Sequence, residues 1–295
     1  MMILLRRQGL VLATGMALAT GTWNCADAGN ADEFIETTAD AATSPEGTFG
    51  DGGTGLDDGP PSVECEEGTK QIYVIGTDKA FYRFYPAELR FERIGSLGCP
   101  TTAGTFSMAI DRFGTAFVEF DDGRLYAFDT IRGTCKATAF KPGQTGFNTF
   151  GMGFSLNSDD PKDGETLYLA GDALGSLDTK TFDLKLVGSL TYGHTELTSR
   201  GNELFGYNIS SGVIARLDKN DGKTDLTYRT SAIESHGAFA FAQWGGKFWI
   251  FTGRNTSTVT SYSPDTDESE VVLPNTGMLI VGAGSSTCAP TTLPK

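Results

Sequence analysis

Histidine is almost missing from this chain: two residues in 295, beside three tryptophans and five cysteines. Basic residues are also scarce, 23 against 37 acids, for a net charge of −14. A chain of that sign lacks the lysine and arginine footprint that nucleic acid requires, so no nucleic-acid partner is expected. No apolar run after the N-terminus approaches the ~20 residues of a spanning helix. The cysteines show no close CxxC pair, which argues against a zinc site. No glycine-rich phosphate loop follows a strand and opens a helix. Ser107 and Ser155 have no histidine and aspartate at a readable spacing, so a nucleophilic triad is unsupported.

The acidity is unevenly placed. Twelve Asp and Glu and no base lie between Cys25 and Gly68, whereas the chain from Thr69 onward carries 25 acids and 21 bases. Most of the charge therefore belongs to a tail. Residues 29–64 are rich in Gly, Asp, Thr and Pro with little to bury, and are expected to be a disordered linker. Before them, Arg6 and Arg7 precede a short apolar stretch, as in a secretory signal peptide over residues 1–28. Ala26-Asp27-Ala28 suits a general signal peptidase. Cys25 could instead carry the lipid of an anchored lipoprotein, although Thr22-Trp23-Asn24 makes a poor lipobox. The expected location is thus outside the cytoplasm, secreted or tethered to the envelope through Cys25 alone.

Either processing event leaves Cys65, Cys99, Cys135 and Cys288, an even set in an oxidising compartment. Four cysteines allow three pairings. Cys65 precedes the first strand and Cys288 follows the last, so a bond between them would join the ends. Cys99 and Cys135 would be the remainder, although in an ideal repeat they lie on opposite faces.

Glycine is abundant at 38 residues, and helical periodicity is absent after Thr69. Short apolar and β-branched runs alternate with turn signals such as Asp121-Asp122-Gly123, Gly201-Asn202 and Gly245-Gly246. Two rows of positions repeat. An apolar residue leads into a turn at Phe84, Phe128, Leu177, Leu217 and Tyr262, with steps of 44, 49, 40 and 45 residues. A second row, Phe106, Phe150, His194, His236 and Thr276, steps by 44, 44, 42 and 40. Four strands per period of ~40–45 residues is the pattern of a β-propeller blade. The spacing predicts an all-β, five-bladed β-propeller over residues 65–290, with a short tail at 291–295. MLIVG near the C-terminus has no partners after it, and the first unit lacks an opening strand. Together they would complete one blade and close the ring.

The first strand of each blade lines the channel, so the second row is expected to ring its mouth: Phe106, Phe150, His194, His236 and Thr276. One pleat deeper would lie Met108, Met152, Glu196, Ala238 and Met278. His194, His236 and Glu196 make the one polar cluster worth testing as a ligand site, though such groups also simply satisfy one another in a narrow channel. No cofactor is expected; calcium or another divalent metal is the alternative, at the mouth or at Asp159, Asp160 and Asp163. Asp129, Asp178 and Asp218 recur once per blade and read as turn caps. Glycoside hydrolysis needs two carboxylates facing one another. The expected mouth offers only Glu196, and Asp111 sits at the far end of its strand.

The runs LGCP, FSMAIDRFGTAFVEF, FGMGF, ELFGY, FAFAQWGGKFWIFT and IVGAGSSTCAP resemble a group of exported, often lipid-anchored β-propeller proteins typical of myxobacteria and their relatives. That group is functionally uncharacterised, so the resemblance implies fold and export and transfers no catalytic residue. The function expected is a non-enzymatic binding module, a monomer offering its mouth or a loop face to a small molecule, glycan or protein. The alternatives are a lactonase- or glycosidase-type hydrolase using Glu196, His194 and His236, and a protein-interaction scaffold.

Overall fold

The computed structural model describes residues 65–230 and 237–294. The expected signal peptide, the linker, Cys25 and His236 lie outside the described residues. The rest forms a five-bladed β-propeller of twenty strands in five four-stranded antiparallel sheets. The first blade runs outward from β20 (Ile280–Ser285) through β1 (Ile72–Gly76) and β2 (Ala80–Tyr85) to β3 (Arg90–Ser96). The second is β4 (Thr105–Ile110), β5 (Thr115–Phe120), β6 (Leu125–Asp129) and β7 (Thr134–Ala137). The third is β8 (Gly151–Leu156), β9 (Glu165–Ala170), β10 (Ala173–Leu177) and β11 (Leu184–Ser189). The fourth comprises β12 (Glu196–Arg200), β13 (Glu203–Asn208), β14 (Val213–Leu217) and β15 (Thr224–Arg229). β16 (Ala238–Trp244), β17 (Lys247–Gly253), β18 (Ser257–Ser263) and β19 (Glu268–Leu273) make the fifth.

Burial follows position in the blade. The inner strand β8 is buried along its whole length, whereas the outer strand β15 alternates between half-buried and exposed residues, as expected for strands covered on two faces and on one. The core is divided into five apolar clusters, one at each blade interface. Phe84 of the first blade meets Trp249 and Phe251 of the fifth, and Phe205 of the fourth meets Phe248 of the fifth edge-on. Each fully buried aromatic contributes roughly 1.5–3 kcal/mol, so closure of the ring is itself apolar burial.

One turn recurs in every blade after the third strand. Its fifth residue is left-handed: Leu89, Gly133, Phe182, Gly222 and Asp267, with φ of 50°, 66°, 62°, 76° and 56°. Asp129 and Asp178 cap their turns by accepting two backbone N–H groups each, and Asp218 accepts that of Asn220. These aspartates are turn caps, as the sequence suggests.

β20 pairs with β1 in antiparallel register, Ile72 opposite Ser285, so the ring closes with the last strand as the inner strand of the first blade. Cys65 and Cys288 are bonded, and the segment after β20 becomes a strap beneath the ring. Ser286 Oγ donates to Thr69 O, Thr287 Oγ1 to Glu165, and Pro290 O accepts from Gly245 N and Gln243 Nε2. Cys99 and Cys135 are also bonded. The objection that they belong to opposite faces fails because the crossover after β3 sinks between blades. Leu97 is fully buried, and both cysteines pack on the cluster between the first two blades.

The strap also meets a buried ion pair. Arg112, just beyond β4, lies 3.4 Å from Glu165 of β9 and donates to Pro161 O. Next to it, burial and the Glu165 charge push the Asp111 carboxyl up to about 6, although Phe113 and Thr115 N–H groups donate to it.

Two outcomes follow from this architecture. The Cys65–Cys288 bond spans 223 residues, so Cys65→Ser with Cys288→Ser is expected to lower stability by about 2–5 kcal/mol in urea; an unchanged midpoint would refute the closure role. Asp111 is raised above its unfolded value, so its contribution is complete below pH ~4 and is lost as pH rises to about 6. Asp111→Asn should therefore gain roughly 2–3 kcal/mol over wild type between pH 4 and pH 7, read from denaturation midpoints at both pH values.

Candidate functional site

The inner strands β4, β8, β12, β16 and β20 each pair on one side only, leaving an inner edge with no strand partner. Their backbone groups need partners in a channel with little room for water. Polar side chains from neighbouring inner strands supply them. Gln243 N donates to both Thr198 Oγ1 (3.0 Å) and Ser285 Oγ (3.2 Å), which lie 3.1 Å apart. This closes the middle of the channel. The strap, with Pro290 under Gln243, closes the bottom. The top stays open.

At that top is a cavity of about 300 Å³ to which all five inner strands or their leading residues contribute. Its rim carries Phe106, His194 and Phe239; Gly151 and Val281 form walls; Glu196 lies at its base. The structure thus brings Phe106, His194 and Glu196 of the expected mouth together. It does not bring in Phe150 or Thr276. Phe150 is fully buried between blades against Phe140 and Phe147, and Met108 and Met152 are likewise core residues. Thr276 lies in the approach to β20, its hydroxyl donating to Met278 O, and Met278 packs on the interblade core.

The reason is register. In β4, Thr105 pairs with Phe120 and Ser107 with Glu119, leaving Phe106 as the extra residue of a β-bulge. In β20, Ile280 pairs with Gly76 and Gly282 with Ile75, leaving Val281 extra. A bulge re-aims the residue that it leaves unpaired, and both of these residues line the cavity. β8 pairs with β9 without a bulge, so Phe150 falls on the opposite side and Gly151 occupies the mouth. A side chain at Gly151 would collide with Thr195 O and Glu196 Cα, which is how closely β8 and β12 approach.

Glu196 is 3% exposed. It accepts from Ser107 Oγ at 2.9 Å and from Met152 N, one of the inner-edge amides. Burial nonetheless pushes its carboxyl well above the usual range. Glu119, directly across the sheet from Ser107, is a second buried carboxyl that the sequence did not single out. Its Oε2 accepts from Phe150 N at 3.1 Å, while Oε1 has no hydrogen-bond partner. Burial pushes it up too, reinforced by the charges of Glu196 and Asp122. The only signal in the sequence was a charged residue inside the apolar run TAFVEF.

His194 is rim-exposed, with Nε2 3.4 Å from the exposed Asp172. Asn208 holds its segment, donating from Nδ2 to Tyr192 O and His194 O at 2.8 Å each. Glu196 has Ser107 as its side-chain partner, so the polar centre of the described mouth is a carboxyl–hydroxyl pair. Among the described residues no group of three or more His, Cys, Asp or Glu is placed to hold a metal ion. In the Asp159–Asp163 loop, Asp160 caps a short 3₁₀ turn by accepting from Lys162 N, and Asp163 accepts from Ser158.

No family model matches the chain, and no curated protein matches it. Solved structures do. The chain is similar to one in the crystal structure of the nidogen/laminin complex, at 12% identity and a TM-score of 0.45, over 76% of this chain and 87% of that one. It is also similar to a structural-genomics protein of unknown function from Bacteroides thetaiotaomicron VPI-5482, at 12% identity and a TM-score of 0.43, over 71% of this chain and 60% of that one. Likeness at this level concerns architecture and carries nothing about activity.

Because both carboxyls titrate above their unfolded values, their contribution to stability is complete at low pH and is lost as pH rises through the raised values. Glu119→Gln keeps an acceptor for Phe150 N and removes one ionisation. Urea midpoints from pH 5 to pH 9 should decline less steeply in this variant than in wild type; parallel profiles would show that Glu119 is not held neutral.

Proposed function

We propose that this chain is an extracytoplasmic, non-enzymatic binding module that takes a small ligand in the mouth of its propeller. The observation that carries this reading is the pair of bulges that turn Phe106 and Val281 into one cavity over the buried Glu196. The volume is at the lower end of small-molecule sites, and the composition, apolar walls with few convergent polar groups, is typical of them. Two disulfides suit an oxidising compartment. Export through the N-terminal segment, with release or lipid attachment at Cys25, and likeness to the myxobacterial proteins belong to the same proposal. Residues 29–64 would then be the stalk.

Hydrolysis is the second reading, and Glu119 is what favours it: a buried second carboxyl that interacts with Glu196. Against it, Glu119 is fully buried and does not line the cavity, so the pair does not flank a space where a scissile bond could sit.

A thermal-shift screen of the purified chain against monosaccharides, cell-wall sugars, amino acids, amines and divalent metals tests the proposal. A ligand at one hundred times its dissociation constant adds about 2.7 kcal/mol to the native state. The shift should be lost in Phe106→Ala, at a rim residue 37% exposed. A shift retained in that variant, or none with any compound, would refute a mouth site.

A further inference from the structure

We infer that the mouth cavity takes a small organic cation, an ammonium or quaternary ammonium group whose charge Glu196 meets and whose carbon shell packs against Phe106 and Phe239. The inference rests on the reading of this cavity as a ligand site and names its ligand class.

Three observations point to a cation. The first is an unmatched pair of acids. Among the described residues no lysine or arginine lines the cavity, and the side-chain partner of Glu196 is a hydroxyl. Glu119 leaves Oε1 without any partner. Two buried carboxyls thus have no positive charge against them among the described residues, an arrangement that costs stability once either ionises. A bound cation supplies the missing charge, while an anion would meet the Glu196 carboxyl, with Glu119 buried behind it.

The second is the wall. Phe106 and Phe239 both line the cavity, and Phe239 meets Tyr207 edge-on at 6.2 Å between centroids. Aromatic rings attract cations through their quadrupole, most strongly where water is displaced. The third is the shortage of free hydrogen-bonding groups for a sugar. Thr105 Oγ1 already donates to Gly76 O, Thr195 Oγ1 to Gly193 O, and Ser107 Oγ to Glu196. A polyhydroxylated ligand would exchange its water for few partners, whereas an ammonium group needs one carboxylate and apolar contact.

Occupancy then moves a proton. Burial pushes the Glu196 carboxyl up, toward its neutral form. The entering cation favours the carboxylate, and the proton leaves to solvent. Among the described residues, Glu119 of β5 interacts with this carboxyl, Asp122 just beyond it acts in turn on Glu119, and the His194–Asp172 pair lies at the rim. All three acids add to the attraction, so cation affinity should rise with pH.

The test compares choline with its neutral isostere 3,3-dimethyl-1-butanol by calorimetry on the full chain, in two buffers of different ionisation enthalpy. Choline should bind at least tenfold more tightly, with a buffer-dependent enthalpy that reports proton release. Glu196→Gln should bring the ratio of the two affinities to about one. Equal binding by wild type, or a ratio unchanged in Glu196→Gln, overturns the inference and leaves the cavity reading standing. Should Glu196→Gln fail to fold by circular dichroism, Phe106→Ala decides: a choline affinity within twofold of wild type overturns the inference. If neither compound binds wild type, the cation falls; the cavity itself falls only if the broader screen also gives no shift.

Discussion

The channel depends on one constraint: five inner strands pair on one side, and the groups of the other edge need partners as well. Side chains from adjacent blades supply them. Thr198 and Ser285 take the amide of Gln243, Glu196 takes that of Met152, and Glu119 takes that of Phe150 just ahead of β8. Unpaired amides buried there would each cost about 1–3 kcal/mol. The polar residues of the channel are therefore structural before they are anything else. The cost of using carboxyls for the task is visible in Glu196 and Glu119, both driven toward their neutral forms. That combination leaves a buried, acidic floor beneath the mouth cavity.

The two ends of the channel are treated differently. Below, the C-terminal strap ties the first, third and fifth blades through Thr69, Glu165 and Gly245. Above, the inner strands open into the cavity, where two of them carry an extra residue. Rigid sheets hold the walls, and bulges choose which side chains face inward. The surface of the mouth is therefore set by backbone irregularities and not by the repeat.

Much of this was legible in the sequence. The five turns that follow Tyr85, Asp129, Asp178, Asp218 and Ser263 sit where the repeat spacing puts them, because a turn is a local requirement, met in three of them by a capping aspartate. The closing strand could be read from MLIVG having nothing left to pair with. The mouth was only partly legible. Aligning Phe106 with Phe150 treats equal spacing as equal orientation, and a single unpaired residue in β4 reverses that. Glu119 escaped notice because a carboxyl in a second strand looks like an ordinary outward-facing position until the neighbouring blade covers it.

Sequence alone determined the all-β class, five blades, the turn positions and the ring closure, since each depends on periodicity or on residues near one another in the chain. The tertiary structure decided which residues face the mouth, that Cys99 reaches Cys135, and that Glu119 lies close enough to Glu196 for their charges to interact. Those outcomes depend on the register between strands and on the packing of one blade against the next, where a shift of one residue moves a side chain from the cavity to the core.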